Sequence, residues 1–112
     1  MYKTNKEIEL ILSLYPIAKK KHLEIQEILK LNHSNEVTKQ IMIEDNFYIR
    51  LIEMVEDWLK YLTKEEIKFI DYRFFHDYSL QTIANKTNYS NHSSIIKKIN
   101  KLVKKIEENI NL

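Results

Sequence analysis

Several residue types that define common protein classes are missing from this 112-residue chain. It has no cysteine, which excludes disulfide bonds, a thiol nucleophile and a thiolate zinc site. It has no glycine and a single proline, which argues against glycine-rich phosphate-binding loops and against hairpin-rich β folds. No apolar run approaches the roughly 20 residues of a membrane span, and the charged N-terminus is not expected to act as a secretory signal. We therefore expect a cytoplasmic protein that makes no membrane contact.

A further absence is local, since no acidic residue occurs between Asp77 and Glu107. Residues 1–78 carry 12 basic and 14 acidic groups, whereas residues 79–106 carry six lysines and no acidic group. The six are Lys86, Lys97, Lys98, Lys101, Lys104 and Lys105. A basic segment on an otherwise slightly acidic chain indicates a polyanionic partner. A lysine-rich helix face that is merely solvated is the alternative reading.

Apolar residues recur at helical spacing along the whole chain, so we expect an all-α fold. Residues 1–31 form an N-terminal helical segment in which Pro16 predicts a break or kink. Residues 32–46 are expected to be a linker or the start of the next helix, because "NHSNE" is rich in side chains that bond to their own backbone. Residues 47–112 are assigned to a helical domain.

The helix ends follow from capping residues. Thr4 with Glu7, and Thr63 with Glu66, have the spacing of a capping box. Ser79 is predicted to cap a short helix and Ser90 to cap the last helix. Asn88, in the connecting "TNYS", is expected to take the left-handed backbone conformation that glycine usually supplies.

Two helices of this domain carry predicted core-facing stripes. The first stripe consists of Phe47, Leu51, Met54, Val55, Trp58 and Leu62. The second, in the last helix, consists of Ile95, Ile99, Leu102, Val103, Ile106 and Ile110.

A short helix, a tight turn and a longer basic helix are the elements of a helix-turn-helix, which we predict at about residues 79–105. Ala84 should lie where the two helices cross closely. The first turn of the second helix is expected to approach base edges, and the lysines that follow it have helical spacing suited to phosphates. The candidate DNA-binding residues are Gln81, Lys86, Asn91, His92, Ser93, Ser94, Lys97, Lys98 and Lys101.

Residues 61–106 resemble region 4 of bacterial sigma factors, and resemble more closely the C-terminal part of small phage late-gene transcriptional regulators of the RinA and ArpU type. The shared pattern is "LT.EE..FI..R.F..YS...IA", which runs from Leu62 to Ala84. The N-terminal "IELILSLYPIAKK" is similar to the helix with which such regulators begin. The resemblance implies N-terminal helices packed with a C-terminal, sigma-region-4-like helix-turn-helix.

Two positions depart from that pattern. Asn88 stands where the turn usually has glycine, and Ser94 stands where the last helix usually has its first apolar residue. Ile95 follows one position later. Either the turn is one residue longer, or the last helix is rotated.

The resemblance and the basic segment imply a sequence-specific DNA-binding transcriptional regulator. It would activate phage or prophage late genes at a promoter, in the cytoplasm of a bacterial host cell and associated with the nucleoid. Its partners would be double-stranded DNA and, through the N-terminal helices, RNA polymerase or a second copy of the chain. Two alternatives stay open: a DNA-binding packaging accessory resembling a small terminase subunit, and a sigma-like protein-interaction module that binds no DNA.

No catalytic arrangement is recognisable in the sequence. The four histidines, His22, His33, His76 and His92, lack paired metal-ligand spacing, so neither a metal site nor a cofactor is expected. Solvated helix faces and caps explain the carboxylate clusters better than acid–base pairs do. We expect that the protein is not an enzyme.

Overall fold

A computed structural model describes residues 3–31, 35–89 and 91–111 of the chain. Within these ranges the fold is all-α, as predicted, with five α-helices, one π-helical turn and no β-strand. The elements are α1 (Asn5–Leu31), α2 (Asn35–Leu59), α3 (Lys64–Ile70), the π-helical turn (Asp71–Phe75), α4 (Leu80–Lys86) and α5 (His92–Ile110). None of the described helices is long and apolar enough to cross a membrane.

Helix α1 is continuous through Pro16, so of the predicted break or kink at this proline the break is wrong. A proline inside a helix removes the hydrogen bond to the carbonyl four residues earlier, here that of Leu12. Packing holds the helix together, because Leu12, Tyr15 and Ala18 are buried on either side of the missing bond. Tertiary contacts therefore override a local helix-breaking signal.

Three predicted caps are confirmed. The Glu7 N–H donates to the Thr4 hydroxyl at 3.3 Å, immediately before α1. Thr63 and Glu66 form a complete capping box at the start of α3. At the start of α4, the Ser79 hydroxyl accepts a hydrogen bond from the backbone N–H three residues later. Each cap satisfies backbone groups that a helix end would otherwise leave without a partner.

Helices α1 and α2 form an antiparallel hairpin. The Tyr15 hydroxyl donates to the Glu56 carboxylate at 2.9 Å. Further along α1, His22 Nδ1 lies 2.7 Å from Asp45 Oδ1, and the Gln26 amide donates to Asp45 Oδ2 at 3.1 Å. Partner numbers fall along α2 as they rise along α1, so the two helices run in opposite directions.

The first half of α2 extends beyond the main core. Residues 35–46 are helical, and residues 32–34 of "NHSNE" lie outside the described residues. Phe47, predicted to face the core, is 63% exposed, so that prediction is wrong. The residues of α2 that belong to the core cluster, or pack against it, begin at about Tyr48 and Leu51. Two paired helices cannot cover each other's outer faces, and none of the other described helices buries Phe47.

The core joins the N-terminal half of α1 and the second half of α2 to α3, α4 and α5. Most of the predicted stripe residues are buried: Leu51, Val55, Trp58, Leu62, Ile95, Ile99, Leu102, Val103 and Ile106. Met54 and Ile110 are partly buried against the same cluster. This packing fixes which face of α5 points outward.

The chain reverses between α3 and α4 through the π-helical turn. The His76 N–H donates to the Asp71 carbonyl at 2.9 Å, and the Tyr78 N–H donates to the Tyr72 carbonyl at 2.9 Å. Asp77 has a φ of 53°, in the left-handed region. The left-handed residue predicted at Asn88 is therefore wrong: among the described residues the positive φ belongs to Asp77, which precedes α4.

Candidate nucleic-acid interface

Helix α4 is short and is fixed at both ends. Ile83 is fully buried, and Ala84 packs partly buried against the core. At the C-terminal end, the Thr87 hydroxyl donates to the Ile83 carbonyl at 2.9 Å, and the Thr87 N–H donates to the Ala84 carbonyl at 3.4 Å. The side chain of Thr87 thus ends the helix where a glycine often does.

Helix α5 begins one residue later than predicted. Its cap is Asn91, whose side-chain oxygen accepts a hydrogen bond from the Ser94 N–H at 2.8 Å. Ser90, the predicted cap, lies outside the described residues. Asn91 therefore precedes the helix instead of lying in its first turn, and Ile95 is the first buried residue of α5. The first buried apolar residue of α5 therefore comes one position later than in the pattern that the chain resembles.

The outward face of α5 is defined by its exposed residues, which recur every three or four positions. They are His92, Ser93, Ile96, Lys97, Asn100, Lys101, Lys104 and Glu108. Ser94 is half-buried beside this face. The face carries three lysines and no acidic residue over its first 13 positions, until Glu108. It is therefore suited to a polyanion.

The lysines of α5 fall into two groups. Lys97, Lys101 and Lys104 are exposed, and none of them forms an ion pair within the part of the chain that the structure describes. Lys98 is half-buried, with its ammonium 6.0 Å from the centre of the Phe69 ring. Lys105 was predicted among the phosphate-contacting lysines. It packs against α3, so it is not part of the outward face of α5.

Lys105 makes an ion pair with Glu66, at 3.0 Å between its ammonium and Glu66 Oε1. The same carboxylate accepts the Thr63 N–H at 2.8 Å. The Thr63 backbone N–H, and after it the Lys105 ammonium, hold the pKa of the Glu66 carboxyl below its ordinary value. This pair fastens α5 to the start of α3.

A polar chain joins the N-terminal ends of α4 and α5. The Gln81 amide donates to Asn85 Oδ1 at 3.1 Å, which leaves Gln81 Oε1 as an acceptor. His92 Nε2 lies 3.3 Å from that oxygen and must donate to it. The predicted site residues Gln81 and His92 are thus brought together at the exposed surface.

Lys86 belongs to a different part of the surface. It is exposed at the end of α4, with its ammonium 5.4 Å from the centre of the Tyr78 ring. It lines a shallow cleft that also contains Glu65 and Lys68 of α3. Lys86 therefore lies beside an acidic side chain and apart from the outward face of α5.

Sequence reasoning missed three exposed residues near the predicted site: Asn85, Ile96 and Asn100. The two on α5 could have been found by anchoring the helical periodicity on Ile95 and Ile99, which are both buried. Positions one residue after each of these point outward. Asn85 had no sequence signal, because its role depends on the contact with Gln81.

Neither a possible metal site nor a comparison with known proteins suggests another function for this surface. Within the described ranges, no group of three or more His, Asp or Glu side chains could hold a metal ion. No protein-family model, no curated protein and no solved structure matches the chain. The resemblance to sigma region 4 is therefore carried by the quoted residues alone.

Proposed function

We propose that this protein is a sequence-specific DNA-binding transcriptional regulator that inserts α5 into the major groove. The observation that carries the proposal is the outward face of α5, whose three exposed lysines form no ion pair within the described residues and which has no acidic residue before Glu108. The major groove is about 12 Å wide and admits one α-helix. Each lysine brought to a phosphate releases condensed counterions, which drives association.

The surrounding helices support this role. α4 would lie across the phosphates, as the first helix of a helix-turn-helix does. The ion pair of Lys105 with Glu66 and the polar chain from Gln81 to His92 hold α5 against both neighbouring helices. A rigidly held reading helix loses little conformational entropy on binding. Such a held helix is what a helix-turn-helix of the sigma-region-4 type requires, and it supports the proposal.

The biological setting that we propose is activation of phage or prophage late genes at a promoter. The α1–α2 hairpin would supply the protein contact, with RNA polymerase or with a second copy of the chain. Sedimentation at micromolar concentration distinguishes these two. A measured mass of twice 13.6 kDa would identify a second copy of the chain as the partner. A monomeric mass would favour RNA polymerase as the partner.

The decisive test is charge reversal on the outward face. We expect Lys97→Glu combined with Lys101→Glu to abolish binding to duplex DNA, measured by fluorescence anisotropy from low to physiological salt. The matched control is Lys20→Glu combined with Lys39→Glu, which makes the same change in net charge at exposed positions of the hairpin. The control should bind DNA with wild-type affinity, and all variants should retain the wild-type helical circular dichroism.

Other outcomes separate the alternatives. Absence of DNA binding by the wild-type protein at low salt would favour a protein-interaction module. Equal losses in both double variants would show only a net-charge effect and would contradict the assignment of α5. DNA binding without any effect on a promoter reporter would favour a packaging accessory.

A further inference from the structure

Ile96 is an apolar side chain in the middle of a basic helix face. It is 43% exposed, whereas Ile95 and Ile99 on either side of it are buried. Isoleucine is a poorer helix former than the lysine that fills neighbouring exposed positions. A single exposed apolar residue is common on protein surfaces, so Ile96 becomes informative only through the residues around it.

Those residues place Ile96 in a row of side chains able to contact bases. Ser93 precedes it by three positions, Lys97 follows it, and Asn100 lies four positions further on, all of them exposed. Residues three and four apart share one face of a helix. Ile96 and Asn100 are separated by about 6 Å along the helix axis, since the rise is 1.5 Å per residue. Two such side chains can reach base pairs one or two steps apart.

The covered part of Ile96 lies in a cleft between helices. The cleft is lined by Phe74, Leu80 and Ile99, together with Glu9 and Arg73, whose charges are opposite. The apolar lining restricts the rotamers of Ile96 and leaves the rest of the side chain facing outward. A pre-positioned side chain loses little entropy on binding, and the opposite charges of Glu9 and Arg73 leave the cleft without a net charge.

The two side chains match the chemistry of one kind of base pair. In the major groove an A·T pair presents the thymine methyl group, the adenine N7 acceptor and the adenine N6 donor. An isoleucine can pack against the methyl group, and an asparagine can form two hydrogen bonds with adenine. Resting on the proposed function, we infer that Ile96 and Asn100 are specificity-determining residues that read a thymine methyl group and a nearby adenine.

Modified bases test this inference atom by atom. A duplex library randomised at 20 positions is first selected with the wild-type protein, and the preferred duplex is then synthesised in three forms. One is unmodified, one carries deoxyuridine for every thymidine, and one carries 7-deazaadenine for every adenine. Deoxyuridine removes only the methyl group, and 7-deazaadenine removes only the N7 acceptor.

Wild-type protein should bind the deoxyuridine duplex at least about fourfold more weakly, the change expected for one buried methyl group. Ile96→Ala should bind the unmodified and deoxyuridine duplexes equally, while still discriminating against 7-deazaadenine. Asn100→Ala should show the reverse pattern. Lys101→Ala serves as the control, because it should weaken binding to all three duplexes by the same factor.

The outcomes are distinct from those of the proposed function. If the wild-type protein binds no duplex, the proposed function fails and this inference fails with it. If it binds the unmodified and deoxyuridine duplexes equally, or if Ile96→Ala keeps the wild-type ratio, the reading role of Ile96 is overturned while DNA binding stands. Ile96 is only partly buried, so a melting curve close to wild type should confirm that the alanine variant folds.

Discussion

Glu66 joins two parts of the molecule through one carboxylate. It completes the cap of α3 by accepting the Thr63 N–H, and it pairs with Lys105 of α5. Both interactions favour the ionised form, which is why the pKa of Glu66 is lowered. A carboxyl group whose pKa is lower in the folded state stabilises the fold above its unfolded pKa, and this stabilisation is lost as the pH falls through the folded pKa.

The first prediction follows from this carboxylate. Glu66→Gln keeps an oxygen for the capping box but removes the charge. We expect a lower melting temperature at pH 7, corresponding to about 0.5–1 kcal/mol, the size of a partly exposed ion pair. The difference from wild type should begin to shrink near the ordinary value of 4.5 and disappear as the pH falls through the lower pKa of the folded state. Thermal melts between pH 3 and pH 7 provide the measurement.

Glu65→Gln is the matched control, because Glu65 is a neighbouring, exposed carboxylate whose partner is the exposed Lys68. It should change the melting temperature little at any pH. A Glu66→Gln protein that melts like wild type at pH 7, or whose deficit persists at pH 3, would contradict the role given to this charge.

At the scale of the element, the contact between α4 and α5 decides whether the outward face is presented correctly. Ala84 is the small residue on α4 that packs against the core near this contact. Ala84→Leu adds three heavy atoms there, and overpacking of this kind costs about 1–3 kcal/mol. We expect a lower melting temperature together with weaker DNA binding, both measured on the same preparation.

Asn85→Leu provides the comparison, because the adjacent residue is exposed and a leucine there enters no packed site. It should leave the melting temperature close to wild type. If Ala84→Leu melts and binds DNA as the wild-type protein does, the two helices do not cross at this residue.

The elements differ in how far the sequence could predict them. Caps and the α5 stripe were predictable, because Thr63, Ser79 and the spacing from Ile95 to Ile106 act through short-range chemistry. The continuity of α1 through Pro16 was not predictable, because it depends on the burial of the helical turns on either side of the proline. The start of α5 was missed by one residue because serine and asparagine are equally good caps, and adjacent polar residues offered both.

The sequence predicted that lysines would lie on the outward face of α5, but not which of the lysines point outward. Lys97 and Lys101 were expected on it and are exposed, whereas Lys105 proved to be paired with α3. A lysine-rich sequence does not reveal which ammonium groups already have a carboxylate partner. That information comes only from the packing of α5 against Glu66.

At the scale of the whole molecule, charge is separated along the chain. The net charge of +2 combines an acidic excess over residues 1–78, six lysines in residues 79–106, and the two acidic residues Glu107 and Glu108. Of those six, three lie on the outward face of α5 without an ion pair among the described residues, and Lys86 lies at the end of α4. The molecule should therefore approach a duplex with the outward face of α5, and with about three phosphate contacts, fewer than the lysine count suggests.

The last prediction concerns the salt dependence of that encounter. The slope of log affinity against log salt is about −0.9 for each phosphate neutralised. Three contacts therefore predict a slope of about −2.7 for each bound chain. Lys97→Ala should reduce the slope by about 0.9, because its ammonium is exposed on the outward face. Lys105→Ala should leave it unchanged, because that ammonium is already paired with Glu66. Titrations of labelled duplex at several salt concentrations give the three slopes. Equal reductions in both variants would mean that Lys105 leaves Glu66 to contact DNA, and that α5 binds through a wider face than the one described.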